Sequence, residues 1–228
     1  IYATGTTLGA DNGIAIALSM ALLTSKDIPH PPLEVLVTTE EETGMGGATA
    51  LDSSNLKGRL LINIDSEEEG KLLVSCSGGV RTVQSLSIKW EDADSSKTPY
   101  ILSVRGLKGG HSGMEINKGR GNSNKILGRI LNDISKEIDF CLSSVAGGSK
   151  TNAIPREADA VIIINSGDAS KLEEKVKEWN AILKNELRTP DSDVSIVIEK
   201  SNESIKKVFS KDIKEKTMTL FFVTGIDT

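Results

Sequence analysis

The chain has 228 residues, 38% of them hydrophobic and 26% charged, which at ~150 residues per domain makes one large or two modest domains with a real core. No apolar stretch approaches the ~18 residues that a membrane span needs, and the composition is neither collagenous nor that of a disordered chain. Asp plus Glu (32) outnumber Lys plus Arg (27), a net charge of −5. There is no global basic field to draw in a phosphate backbone, which speaks against nucleic acid as a partner.

Ile1 stands where an initiator Met is usual, with neither a basic n-region nor an apolar h-region after it. No signal peptide is visible, and a cytoplasmic location is expected. Residues 13–23 (GIAIALSMALL) are apolar almost all round, so a helix packed inside an α/β layer is expected. Residues 33–37 and 60–64 are short, nearly continuous apolar runs, the signature of parallel strands buried on both faces. The segments change character near residue 75, the predicted domain boundary. Beyond it Leu86, Ile88 and Trp90 alternate with polar neighbours, as do Val194, Ile196 and Ile198, so one face of those strands is wet. Two amphipathic helices accompany them. The first carries Ile126, Leu127, Ile130, Leu131 and Ile134 on one stripe, and the second Leu172, Val176, Trp179, Leu183 and Leu187. Ser170 and Glu173 predict a capping box for the second helix, with Thr189 and Pro190 as its stop. The fold class expected is therefore α/β: a mostly parallel sheet with helices over residues 1–75, then an α+β domain with an antiparallel sheet over 76–200. Residues 201–228 begin with a Lys-rich helical stretch, expected to start a return to the first domain.

The two cysteines, Cys76 and Cys141, match no zinc or redox spacing and are expected to be buried free thiols. Acidic residues follow directly on the buried or turned segments of the first half. These are Asp11, the pair Glu41 and Glu42, and Asp65. In open α/β sheets the carboxyl ends of the strands form the ligand crevice, so these acids converge on one edge. Ionised carboxylates that close repel by about 4 kcal/mol per pair at a separation of ~4 Å and an effective dielectric of ~20. A bound cation resolves that repulsion. The turn supplied by Gly44, Gly46 and Gly47 lets one of the two adjacent glutamates bind metal while the other takes a proton from metal-bound water. The plain alternatives are a solvated acidic loop at 40–42, an acidic turn at Asp65 and a helix cap at Asp11.

In the second half, GLKGGHSG at residues 106–113 is a glycine-rich turn presenting His111. It is neither a P-loop nor a nucleophile elbow. The other histidine, His30, lies among prolines in a loop. Asn152, in TNAIPR, precedes a turn.

Taken in order, TTLGADNGIAIA, HPPLEVLVTTEEETGMGGA, LINIDSEEEG, GLKGGHSGMEINKGRGNSNK and TNAIPREA resemble the aminoacyl-histidine dipeptidases, carnosinase-like members of the two-zinc exopeptidase superfamily. The likeness runs over most of residues 4–165. It implies a metallopeptidase catalytic domain with a smaller lid domain that also mediates dimerisation, and hydrolysis of Xaa-His or similar unblocked dipeptides. It further implies zinc, two ions per site, with manganese or cobalt as substitutes. By the same resemblance Asp11 bridges the two metals, Glu42 and Asp65 each bind one, and Glu41 is the general base. His111 donates a hydrogen bond to the oxyanion from the lid, and Asn152 holds substrate.

The departures are a missing His-x-Asp motif upstream of Asp11 and a missing C-terminal metal-binding histidine. The expectation is thus a central fragment, inactive or nearly so, with weakened zinc affinity because carboxylates alone suit harder cations. Rival readings are a tripeptidase or N-acyl amino acid deacylase with the same site, and a non-catalytic binding or dimerisation module. A calcium site built from Asp65 and residues 67–69 has no EF-hand spacing behind it.

Overall fold

The structure, a computed structural model, describes residues 2–6, 8–66, 69–76, 78, 80 and 82–223. The chain divides into two compact units, residues 1–81 and 82–228.

In the first unit the expected helix forms as α1 (Ala10–Thr24), with non-helical backbone at Asp11 and Asn12 and none of its residues buried. Its all-round apolar surface lacks the packed layer that the sequence anticipates. A single short helix follows, α2 (Gly46–Thr49), and a 3₁₀ turn at Ser53–Asn55 capped by the Asp52 side chain. No strand forms among the described residues before Trp90, so the parallel strands expected at 33–37 and 60–64 are absent. A continuously apolar strand needs a ladder partner and cover on both faces. Here those runs have neither, and Leu60, Leu61 and Ile62 stay more than 80% exposed. The predicted turn after the glutamates does close, with Met45 N–H donating to Glu40 O at 2.7 Å and Gly47 N–H to Thr39 O at 3.1 Å.

The second unit has an antiparallel sheet covered by helices. Strand β1 (Trp90–Asp92) is followed by β2 (Thr98–Arg105), β3 (Gly110–His111), α3 (Ser123–Ile134), β4 (Phe140–Gly147), β5 (Ala153–Ile154) and β6 (Ala158–Ile164). Then come α4 (Ala169–Glu186), β7 (Ser195–Lys200), β8 (Lys207–Phe209) and α5 (Lys211–Val223). The central sheet has the order β4-β6-β2-β7, all neighbours antiparallel, and two small ladders pair β1 with β8 and β3 with β5.

Period-two alternation in the strands and a 3.6-residue stripe on the helices make one core. Leu102 and Val104 of β2, Ala160, Ile162 and Ile164 of β6, and Leu142 of β4 pack with Leu127, Ile130 and Ile134 of α3 and Leu172 and Leu183 of α4, all fully buried. Both predicted helical stripes are buried. The other sheet face is mixed rather than wholly polar, with Ile101, Val161 and Ile163 beside Ser103, Arg105 and Asp159. There Ser103 Oγ donates to Asp159 Oδ1 at 2.5 Å and Arg105 to the same oxygen at 2.6 Å.

Three details differ from expectation. The Ser170–Glu173 box does not cap α4, because a 3₁₀ turn at Ser166–Asp168 runs into the helix and puts Asp168 at the cap without a side-chain bond. Leu86 and Ile88 lie outside any strand, each 41% exposed, and the strand begins only at Trp90. Both cysteines are free, yet Cys76 is exposed and Cys141 half-buried rather than buried, since Cys76 belongs to the loosely covered first unit.

Candidate functional site

The second unit carries a built cleft. It forms where the loop after β2 meets the turn between β4 and β6, through the two-residue ladder Gly110↔Ile154 and His111↔Ala153. The Ser112 N–H donates to Asn152 O at 3.0 Å, and Ser123 N–H at the start of α3 donates to Pro155 O at 2.9 Å. His111 and Asn152, far apart in sequence, therefore line one open cleft of about 650 Å³, with Lys108, Gly148, Arg156 and Glu157 around them. Both are exposed.

The histidine ring is held in a defined state. Backbone N–H groups of Gly113 and Met114 donate to its Nδ1 at 3.1 and 3.2 Å. An Nδ1 that accepts is unprotonated, so in the neutral ring the proton sits on Nε2. The Nε2–H is then the donor left to the ring, of a kind suited to an oxygen that gains negative charge.

Sequence reasoning passed over the residues that shape this loop. Glu115 accepts the His111 N–H at 3.0 Å and Lys118 Nζ at 2.8 Å, and Arg120 pairs with it at 3.0 Å. These bonds, the Lys118 one first, hold the Glu115 carboxyl down to about 2. Arg120 also donates to Gly109 O. Gly110 has φ 146, and a β-carbon there would collide with the Glu115 carboxylate and the Arg120 guanidinium. The run of glycines was the available sign of a chain folded back on itself. Nothing in the spacing marks which acid it folds onto.

In the first unit Asp11, Glu41, Glu42 and Asp65 are all exposed. Asn12 Nδ2 donates to Ile64 O at 2.8 Å and to Asp65 Oδ1 at 3.3 Å, which joins the start of α1 to the segment ending at Asp65. Among the described residues no three His, Cys, Asp or Glu side chains come together so as to hold a metal ion. Glu67 and Glu68, two of the acids in the calcium reading, lie outside the described residues. His30 is in a loop, as expected, its Nδ1 2.8 Å from Pro31 O. No helix among the described residues is long and apolar enough to cross a membrane.

Residues 102–190, within the second unit, match the peptidase dimerisation domain. Over 199 residues the chain is 42% identical to the cytosol non-specific dipeptidase of Escherichia coli (strain K12), which takes in 87% of this chain and 41% of that protein. Among solved structures it is similar to an aminoacylhistidine dipeptidase from Vibrio alginolyticus, with a TM-score of 0.75, 37% identity, and coverage of 97% of this chain and 45% of that one. The chain thus spans less than half the length of the relatives it matches, and those relatives are dipeptidases.

Proposed function

We propose that this chain, with a peptidase dimerisation domain at residues 102–190, is the part of a cytosolic dipeptidase that closes over an unblocked dipeptide such as Xaa-His. The single observation that carries this reading is the His111–Asn152 juxtaposition at one cleft, with Nδ1 of the imidazole taken up by two backbone amides so that Nε2 is left as the ring's donor. Attack on a peptide carbonyl puts negative charge on its oxygen, and a donor already aimed there stabilises the transition state more than the ground state. Asn152 lies at the same cleft, where its amide can hold the substrate backbone.

By resemblance, Asp11, Glu42 and Asp65 are assigned to zinc and Glu41 to the general base. The catalytic contribution supported by geometry is that of the second unit. The same unit is proposed to form a homodimer, in line with the domain it matches.

The test is His111→Ala in the whole protein that carries this chain, assayed on Ala-His, a tripeptide and an N-acyl amino acid. Turnover of the dipeptide is expected to be the largest of the three, and to fall about 100-fold in the variant. Preference for the tripeptide or the acyl amino acid would move the reading to those hydrolases, and unchanged turnover in the variant would leave the dimerisation role alone.

A further inference from the structure

The ring of His111 is only as well placed as the loop that bears it, and both ends of that loop finish on one side chain. Asp191, on the connection between α4 and β7, is 0% exposed. Its Oδ1 accepts the Lys108 N–H at 2.8 Å and its Oδ2 accepts the Gly121 N–H at 2.7 Å. Lys108 follows the end of β2 and Gly121 precedes α3, so the two amides bracket the segment that contains His111, Glu115 and Arg120. A carboxylate removed from water is tolerated only where hydrogen bonds replace its hydration. Here those bonds come from the loop.

The backbone of Asp191 is itself fixed by the scaffold. Its N–H donates to Leu187 O at 2.9 Å, and its carbonyl accepts the Val194 N–H at 3.1 Å. Leu187 and Val194 belong to the core. The carboxylate therefore has a position set by α4 and the entry to β7, and transfers it to the loop.

We propose that Asp191 is a positioning residue for His111, pinning both ends of the 108–121 loop so that the imidazole presents its Nε2–H at the cleft. This rests on the reading of His111 given above. Asp191 touches no substrate and acts through the loop. An asparagine of the same shape cannot replace it, because its NH₂ group would face one of the two amide donors.

The test uses the full chain labelled with ¹⁵N and ¹³C. In the unaltered chain, couplings across the hydrogen bonds are expected between the Asp191 carboxylate carbon and the amide nitrogens of Lys108 and Gly121. Absence of both overturns the proposal, and that measurement needs no variant. In Asp191→Asn the amides of Lys108 and Gly121 are expected to exchange about tenfold faster or more, while core amides at Leu102 and Ile162 keep their protection. The ring nitrogens of His111 are expected to move away from the Nε2–H signature. Ring signals that stay in place overturn the proposal, as does a loss of core protection equal to that of the loop, which marks a merely structural role. In the whole protein Asp191→Asn and His111→Ala are expected to lower kcat non-additively. If His111→Ala leaves turnover intact while the ring signals respond to Asp191→Asn, the clamp stands and the oxyanion reading falls. If His111→Ala slows turnover and Asp191→Asn does not, the clamp falls and the oxyanion reading stands.

Discussion

The backbone N–H of His111 donates to the carboxylate of Glu115 at 3.0 Å, so the residue that presents the ring is held by an acid one short turn further on. The hydrogen bond from Lys118 and then the one from His111, helped by the nearby Arg120 and Lys118 charges, outweigh the burial that pushes the group up and draw the Glu115 carboxyl from 4.5 to about 2. A folded-state value below the unfolded one means stability that is fully present above the unfolded value and lost as pH falls toward the folded one. The urea midpoint of the second unit is therefore expected to drop between about pH 5 and about pH 2, and to drop less in Glu115→Gln. Parallel curves for the two proteins would contradict this account of the loop.

Helices α3 and α5 touch backbone to backbone at Gly128. A β-carbon there would stand 2.6 Å from the carbonyl carbon of Phe221 and 2.7 Å from the nitrogen of Phe222. In an open helix Gly→Ala gains about 1 kcal/mol, whereas overpacking costs about 1–3 kcal/mol. Gly128→Ala is expected to destabilise the unit by up to roughly 2 kcal/mol net, since the close atoms are backbone and cannot move aside as a side chain can. It should lower the melting temperature and speed amide exchange in α5 first. A raised melting temperature would show that the helices separate freely.

The parts of this architecture that were legible in the sequence are those whose burial is one-sided and met within the chain. The stripes of α3 and α4 and the alternation of β7 each record a single covered face, and each finds it. Residues 33–37 and 60–64 record the burial they need but not the neighbour that supplies it, and in the described residues they have none. Of the site, His111 and Asn152 stood out as polar groups in Gly- and Pro-marked turns. Their meeting depends on a ladder of two residues, too short for any alternation to announce. Asp191 was hidden because TPDSD reads simply as a helix stop and a turn, and a buried carboxylate looks the same in sequence as a solvated one.

Asn180 of α4 closes the free edge of the sheet. Its Nδ2 donates to Ile196 O at 2.9 Å and its Oδ1 accepts the Ile196 N–H at 2.8 Å, so one amide side chain imitates a neighbouring strand at β7. An unpaired edge is a template for pairing with other chains. Asn180→Ala is expected to lose both bonds to the Ile196 backbone, and with them the one to Val176 O, at a cost of about 2 kcal/mol, and to increase concentration-dependent association on mild heating. Denaturant unfolding and light scattering read the two effects separately. Unchanged scattering with reduced stability would confine the role of Asn180 to the helix–strand contact.

Asp133 ties the end of α3 to α4 by two kinds of interaction that substitution can separate. It accepts the Trp179 Nε1–H at 3.1 Å and pairs with Lys136 at 3.3 Å and Lys175 at 3.6 Å. Burial is the largest single influence on this carboxyl and pushes it up. The Trp179 bond and the two lysines together outweigh it and hold the group below its ordinary value. Surface ion pairs contribute less than about 1 kcal/mol, while a buried donor left without an acceptor costs about 1–3 kcal/mol. Trp179 is only 8% exposed, so its N–H is the more expensive group to orphan. Asp133→Asn, which keeps an acceptor for the indole, is expected to cost less than about 1 kcal/mol and to grow milder in salt. Asp133→Leu is expected to cost about 2 kcal/mol with little salt dependence. Urea unfolding followed by tryptophan fluorescence at low and high salt distinguishes the two. Equal losses in both variants would mean that the Lys175 pair, and not the indole bond, joins the helices.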